Sequence, residues 1–218
     1  MRPEAGGRAP PEDKPRQPNP TSDDLAEQVA SAGRGLAGLI TAKPGWPSCF
    51  DFSTTGFIRS FIGPFLALPL HLFAFAVVER AILGGKTMPA ADFGLVTLAH
   101  VIDLIAFPLL IAALARPLRI GDGYPAFVIV TNWASLFLNI VFAGAALLAL
   151  GGAQGLELFR VVYLVLLCFS VFLVWRSGRL TLSREVAPVL LVVVLSVAVG
   201  AGADQVAGWV LSLTRFGA

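Results

Sequence analysis

Residues 93–115 read FGLVTLAHVIDLIAFPLLIAALA, and this stretch decides the fold class. At about 1.5 Å per helical residue it is long enough to cross the roughly 30 Å hydrocarbon core of a bilayer. Inside hydrocarbon a backbone N–H or C=O finds no water, so a crossing segment has to satisfy its own peptide groups. An α-helix does so within one segment. Further runs of the same character flank it. The predicted spans are Phe57–Val78, Phe93–Ala115, Pro125–Leu150, Leu158–Trp175 and Pro188–Ala203, the last ending somewhere between Ala203 and Leu213. The expected fold class is all-α, a polytopic transmembrane bundle of five helices.

Composition agrees with that reading. Of 218 residues, 56% are hydrophobic and only 14% are charged, where a soluble domain carries about a quarter charged. The mean hydropathy is +0.77. A net charge of +2 is too small to argue for nucleic acid. The preference for Arg over Lys is associated with GC-rich bacterial genomes, which places the expected location in a bacterial inner membrane. Cys49 and Cys168 fall at different predicted depths, so no disulfide is expected. Residues 1–24 hold no apolar core of the kind a secretory leader needs.

The chain divides into three parts. Residues 1–23 are rich in Pro, Gly and mixed charge and read as a disordered arm. Residues 24–55 read as an amphipathic, interfacial segment and linker. Within it Ser22-Asp23-Asp24 offers an N-cap, and Leu25, Val29, Leu36 and Ile40 form one apolar stripe over Asp24–Ala42. Gly33, Gly35 and Gly38 weaken that helix, and Lys43-Pro44-Gly45-Trp46-Pro47 stops it. Residues 56–218 form the transmembrane domain. Pro64 and Pro69 predict a kink in the first span, and Pro108 a bend in the second. Basic residues in the flanks favour a cytoplasmic N-terminus and an external C-terminus. Loops are short, so successive helices should pack antiparallel.

Chemistry has one candidate location. Asp103 sits near the middle of the second span, where an ionised carboxylate costs roughly 3 kcal/mol or more. Thr97, His100 and Asp103 share one helix face at i, i+3 spacing. Asn132, Ser135 and Asn139 make a matching stripe on the third span, and His71 lies at similar depth on the first. Two readings stand. His71, His100 and Asp103 could relay a proton or cation. Alternatively Asn139 and His100 satisfy Asp103, and the set fixes helix register through bonds worth about 0.6 to 2 kcal/mol each. His71, His100 and Asp103 lack a supporting ligand motif for a metal, so no metal and no cofactor is expected. Ser196 and Gly200 form a small-xxx-small pair expected to admit another helix, more readily from the same chain than from a second copy. Gly85-Lys86-Thr87 mimics the end of a phosphate loop but lacks its first glycine and its strand-to-helix setting. Ser53, Thr54 and Thr55 are expected to cap the first span. No metalloprotease, serine-hydrolase or Cys-x-x-Cys pattern occurs, so no enzyme activity is expected.

The stretches Phe50-Asp51-Phe52-Ser53 through Gly56-Phe57-Ile58-Arg59-Ser60-Phe61, and Phe127-Val128-Ile129-Val130 with Asn132-Trp133, resemble the first and third spans of uncharacterised five-span bacterial inner-membrane proteins. The layout of an arm followed by five helices resembles the Yip family. The resemblance implies no catalytic residues. The expected role is that of an accessory protein that binds a membrane or cytoplasmic partner through its arm, with the lipid bilayer as its solvent. The alternative is a small proton- or cation-coupled transporter.

Overall fold

The computed structural model describes Asn19, residues 21–86 and residues 89–216. The side chains of Ala91, Asp103, Ala203, Asp204, residues 206–208 and residues 210–216 lie outside that description. The predicted arm, residues 1–23, falls almost wholly outside it too. The described chain is all-α: α1 (Leu25–Ile40), α2 (Thr54–Ser60), α3 (Ile62–Ile82), α4 (Ala90–Leu114), α5 (Tyr124–Ala146), α6 (Gly152–Thr181) and α7 (Val186–Phe216). Short 3-10 turns at Trp46–Cys49, Gly121–Gly123 and Leu147–Gly151 join some of them.

Three helical stretches are long and apolar enough to cross a membrane: Thr54–Ile82, Asp92–Leu114 and Gly121–Thr181. The third has 61 residues. Drawn straight, that is about 90 Å, three times a hydrocarbon core. It is not straight. Gly152 takes φ +71°, and the 3-10 turn Leu147–Gly151 precedes it. The chain reverses there, and α5 packs alongside α6. Val186–Gly202, at the start of α7, is a shorter apolar helix.

The break in the first stretch falls at Phe61, between α2 and α3, and not at Pro64 or Pro69. Pro64 then occupies the first turn of α3, where a missing N–H is harmless. Pro69 and Pro108 remain inside α3 and α4. Ser53 caps α2 as expected, its Oγ accepting from the Gly56 N–H at 3.1 Å. Just past the break, α3 meets α5 backbone to backbone. A Cβ at Gly63 would fall 2.6 Å from the Asn132 carbonyl oxygen.

Packing sorts the helix ends. One cluster gathers Ile111 of α4 and Ala115 just past its end, Phe127 of α5, Leu182 just past the end of α6 and Val192 of α7 around Ile120. Another joins Ala74 of α3 to Ala143, Ala146 and Ala149, with Phe159 of α6 on top. The α4 end, the α5 start, the α6 end and the α7 start therefore share one pole, as antiparallel neighbours should.

Helix α1 buries its predicted stripe only in part. Leu36 is buried and Val29 packs against the core, but Leu25 and Ile40 are exposed, and Gln28, Ser31, Ala32, Gly35, Gly38 and Leu39 are buried beside Leu36. The buried face is rich in small residues, and the glycines explain why. A Cβ at Gly35 would lie 2.3 Å from the Phe50 ring, and one at Gly38 would lie 2.9 Å from Trp46. The residues read as helix weaknesses are the ones that let aromatic rings close on the helix. Leu36 and Leu39 join a core with Phe50, Ile129, Val130, Trp133 and Leu173, so α1 rests on α5 and α6.

Polar bonds finish the docking. Asp24 caps α1 by accepting from Ala26 N–H at 2.9 Å. Arg59 pairs with Asp23 at 2.5 Å. Ser31 donates to the Cys49 carbonyl at 2.9 Å. Arg176 of α6 donates to the Leu39 carbonyl at 2.9 Å, a cation satisfying one of the last carbonyls of α1. The helix ends in a Schellman motif. Ala42 N–H reaches Leu39 O, and Lys43 N–H reaches Gly38 O at 2.9 Å. Ala42 itself sits at φ +60°.

Three outcomes follow for thermal unfolding in a single detergent. Gly63→Ala should destabilise the protein by roughly 1–3 kcal/mol, since neither backbone can yield easily. Gly144→Ala, on the same helix pair but with nothing within 4 Å of its Cβ position, should be neutral or stabilising by up to about 1 kcal/mol. Ala42→Gly should stabilise by about 1 kcal/mol by removing left-handed strain. Equal effects of the two Gly→Ala changes would contradict the backbone contact.

Candidate functional site

The predicted polar residues form a ladder along α5. At its lower rung Asn132 Nδ2 donates to Ser60 Oγ at 3.0 Å, and Ser60 donates onward to the Phe57 carbonyl at 2.7 Å. Both residues are buried. Ser60 was not foreseen, because it lies at the edge of an apolar run where a lone serine carries no periodic signal. Its partner could only be known once α2 and α5 were seen to touch. In the middle, Ser135 donates to the Asn132 carbonyl at 2.7 Å, and Asn139 Nδ2 donates to the Ser135 carbonyl at 2.9 Å.

At the upper rung Asn139 Oδ1 lies 3.3 Å from His71 Nδ1. Because the Asn139 amide nitrogen is committed to Ser135, its oxygen faces the imidazole. The consistent tautomer has His71 donating from Nδ1. The His71 ring stacks on His100, with centroids 3.7 Å apart and planes 12° apart. Three helices, α3, α4 and α5, therefore meet through His71, His100 and Asn139. His100 Nε2 is buried and has no hydrogen-bond partner among the described residues. Thr97 bonds within its own helix, donating to the Phe93 carbonyl at 2.8 Å. The Asp103 side chain lies outside the described residues. Among those residues, no group of three or more His, Cys, Asp or Glu side chains comes together. Asp92, near the start of α4, is buried as well and escaped the sequence reading.

Ser196 and Gly200 lie on α7, which packs against α4 and α6. A Cβ at Gly200 would meet nothing within 4 Å. The pair instead lines a cavity of about 420 Å³. Helices α6 and α7 touch at their other ends, where a Cβ on Gly178 would lie 2.9 Å from Val189, and the cavity occupies the space where they part. Leu104, Phe107 and Pro108 of α4 form one wall, and Leu138 of α5 and Leu36 and Leu39 of α1 contribute to others. A space of this size lies within the range of small-molecule pockets.

The lining is mostly apolar, and its serine and threonine hydroxyls donate within their own helices: Thr131 to Phe127 O, Ser135 to Asn132 O, Ser170 to Leu167 O, Ser177 to Leu173 O and Ser196 to Val193 O. No family model, curated protein or solved structure matches this chain.

The two rungs are some seven residues apart on α5, about 10 Å. Asn132→Ala and Asn139→Ala should each destabilise by about 1 kcal/mol, and the double variant should cost their sum within about 0.5 kcal/mol. A double-mutant cycle in thermal unfolding checks this. Strong coupling between the two positions would mean a single connected network.

Proposed function

We propose that this chain is a five-crossing integral protein of a bacterial inner membrane, with a cytoplasmic N-terminus. Its role is non-enzymatic: an accessory protein that binds a partner through its arm. The five-crossing count is supported by the reversal at Gly152, which divides one long apolar stretch into α5 and α6, and by the 31-residue length of α7. The cytoplasmic pole is assigned by basic residues. Arg59, Arg116, Arg119, Arg176, Arg179 and Arg184 belong to the pole that carries α1, which fits the positive-inside rule. The layout resembles the Yip family.

The observation that carries the partner-binding role is the anchoring of α1. Asp23–Arg59 and Leu39–Arg176 hold the root of the arm at a fixed place on the bundle. A segment emerging from a fixed root can engage a partner without the ordering cost of a wholly free tail. The polar ladder supports a structural part for the buried polar groups. A proton moves along hydrogen bonds, whereas His71 and His100 meet ring face to ring face. One observation favours a proton- or cation-coupled transporter as the second reading: the buried His100 Nε2 without a partner.

The two readings separate cleanly. Removing residues 1–20 spares α1 and should abolish co-purification of a partner from native membranes, while Asp103→Asn should leave it intact. The transporter reading requires pH-dependent flux in proteoliposomes that survives the deletion and vanishes in Asp103→Asn. Such flux would overturn the accessory role.

A further inference from the structure

We infer that the cavity between α6 and α7 takes one acyl chain of a membrane glycerolipid, entering sideways from the bilayer. The inference rests on the membrane-spanning reading and adds a ligand to it. Three observations carry it. The first is size: about 420 Å³ lies within the range of small-molecule pockets and suits a single flexible chain far better than a helix. The second is the mouth. Leu167 and Val197 line the cavity yet are 46% and 47% exposed, so it opens onto the outer surface of the bundle. That surface carries Leu164, Val165 and Val194, all large, apolar and exposed, so the medium at the mouth is hydrocarbon.

The third observation is the chemistry of the walls. Leucine, valine, alanine, phenylalanine and proline make up most of the lining, and its serine and threonine hydroxyls give their protons to backbone carbonyls of their own helices, so the walls offer a CH2 chain many contacts and a water, which needs two to four polar partners, few. Gly200 completes the fit. With no side chain there and nothing within 4 Å of its Cβ position, the α7 wall is recessed where α6 and α7 part. The Ser196-Gly200 pair thus makes room for a chain of CH2 groups where a helix was expected.

The test uses the full chain in phosphatidylcholine vesicles whose lipid carries a photoreactive diazirine on one acyl chain. After irradiation, labelled residues are mapped by mass spectrometry. Label is expected on the outer residues Leu164 and Val165 and also inside, on Val171 and Ser196. Gly200→Phe should remove the inner label and keep the outer label. Ser196→Leu serves the same purpose should Gly200→Phe not fold.

Outer label alone in the wild-type chain overturns the inference, as does inner label that persists in a folded cavity-filled variant. Inner protection accompanied by a dimer in sedimentation would mean that a second copy fills the space, and inner label from a water-soluble carbene source would mean an aqueous cavity. Either result also overturns it. A carbonate wash of native membranes separates the two levels. Release of the protein removes the membrane reading and this inference together, whereas retention without inner label removes only the inference.

Discussion

The approach of α3 to α5 at Gly63 is the constraint on which the other contacts depend. With a hydrogen in place of a side chain, the α3 backbone reaches the Asn132 carbonyl, and the helices lie closer than side chains would permit. Dispersion and short interhelical hydrogen bonds operate only at such separations, and in lipid they do much of the work that water expulsion does elsewhere. The Ser60–Asn132 bond, the His71–Asn139 bond and the alanine-rich contact of Ala74 with Ala143 and Ala146 all lie along this one seam. Helix α1 leans on its lower end through Val130 and Trp133. Helices α4 and α7 pair with each other, and between that pair and the seam lies the cavity.

Much of the architecture was legible from apolar run lengths, because a helix in hydrocarbon is chosen by backbone satisfaction and not by any one residue. Span ends at Arg116-Pro117 and Gly151-Gly152 match the ends of α4 and of the α5 hairpin turn. Less legible was which face each helix packs. Of the stripe Leu25, Val29, Leu36 and Ile40 on α1, Leu36 and Val29 pack into the core, while close packing against Phe50 and Trp46 also buries the glycines, Ser31 and Ala32. Hydrophobic periodicity measures transfer out of water, whereas this contact is decided by how near two surfaces can come. At Ser196 and Gly200 smallness leaves space open: a Cβ on Gly200 would meet nothing within 4 Å among the described residues.

The candidate polar cluster was legible in part. Similar depths suggested that His71, His100, Asp103 and Asn139 meet; His71 touches both Asn139 and His100, and the Asp103 side chain lies outside the described residues. Depth could not supply the stacked geometry of the two rings, which depends on the azimuth of α4 about its own axis. Nor could it foresee the cavity. A void is a property of several helices failing to meet, and no single segment encodes it. The serines and threonines on its walls also illustrate why polar residues in apolar helices need not signal function. A hydroxyl that donates to a carbonyl three or four residues earlier is neutralised within its own turn.

The turn joining α5 to α6 has a practical meaning. It contains almost no slack: Gly152 is left-handed, and a Cβ on Gly155 would strike the Leu148 carbonyl at 2.1 Å. Gly84 and Gly85, after α3, are left-handed too, but open space surrounds both. An inserted epitope, fluorescent module or crystallisation chaperone thus belongs at Gly84-Gly85. The same cargo spliced between Gly151 and Gly155 would pry α5 and α6 apart.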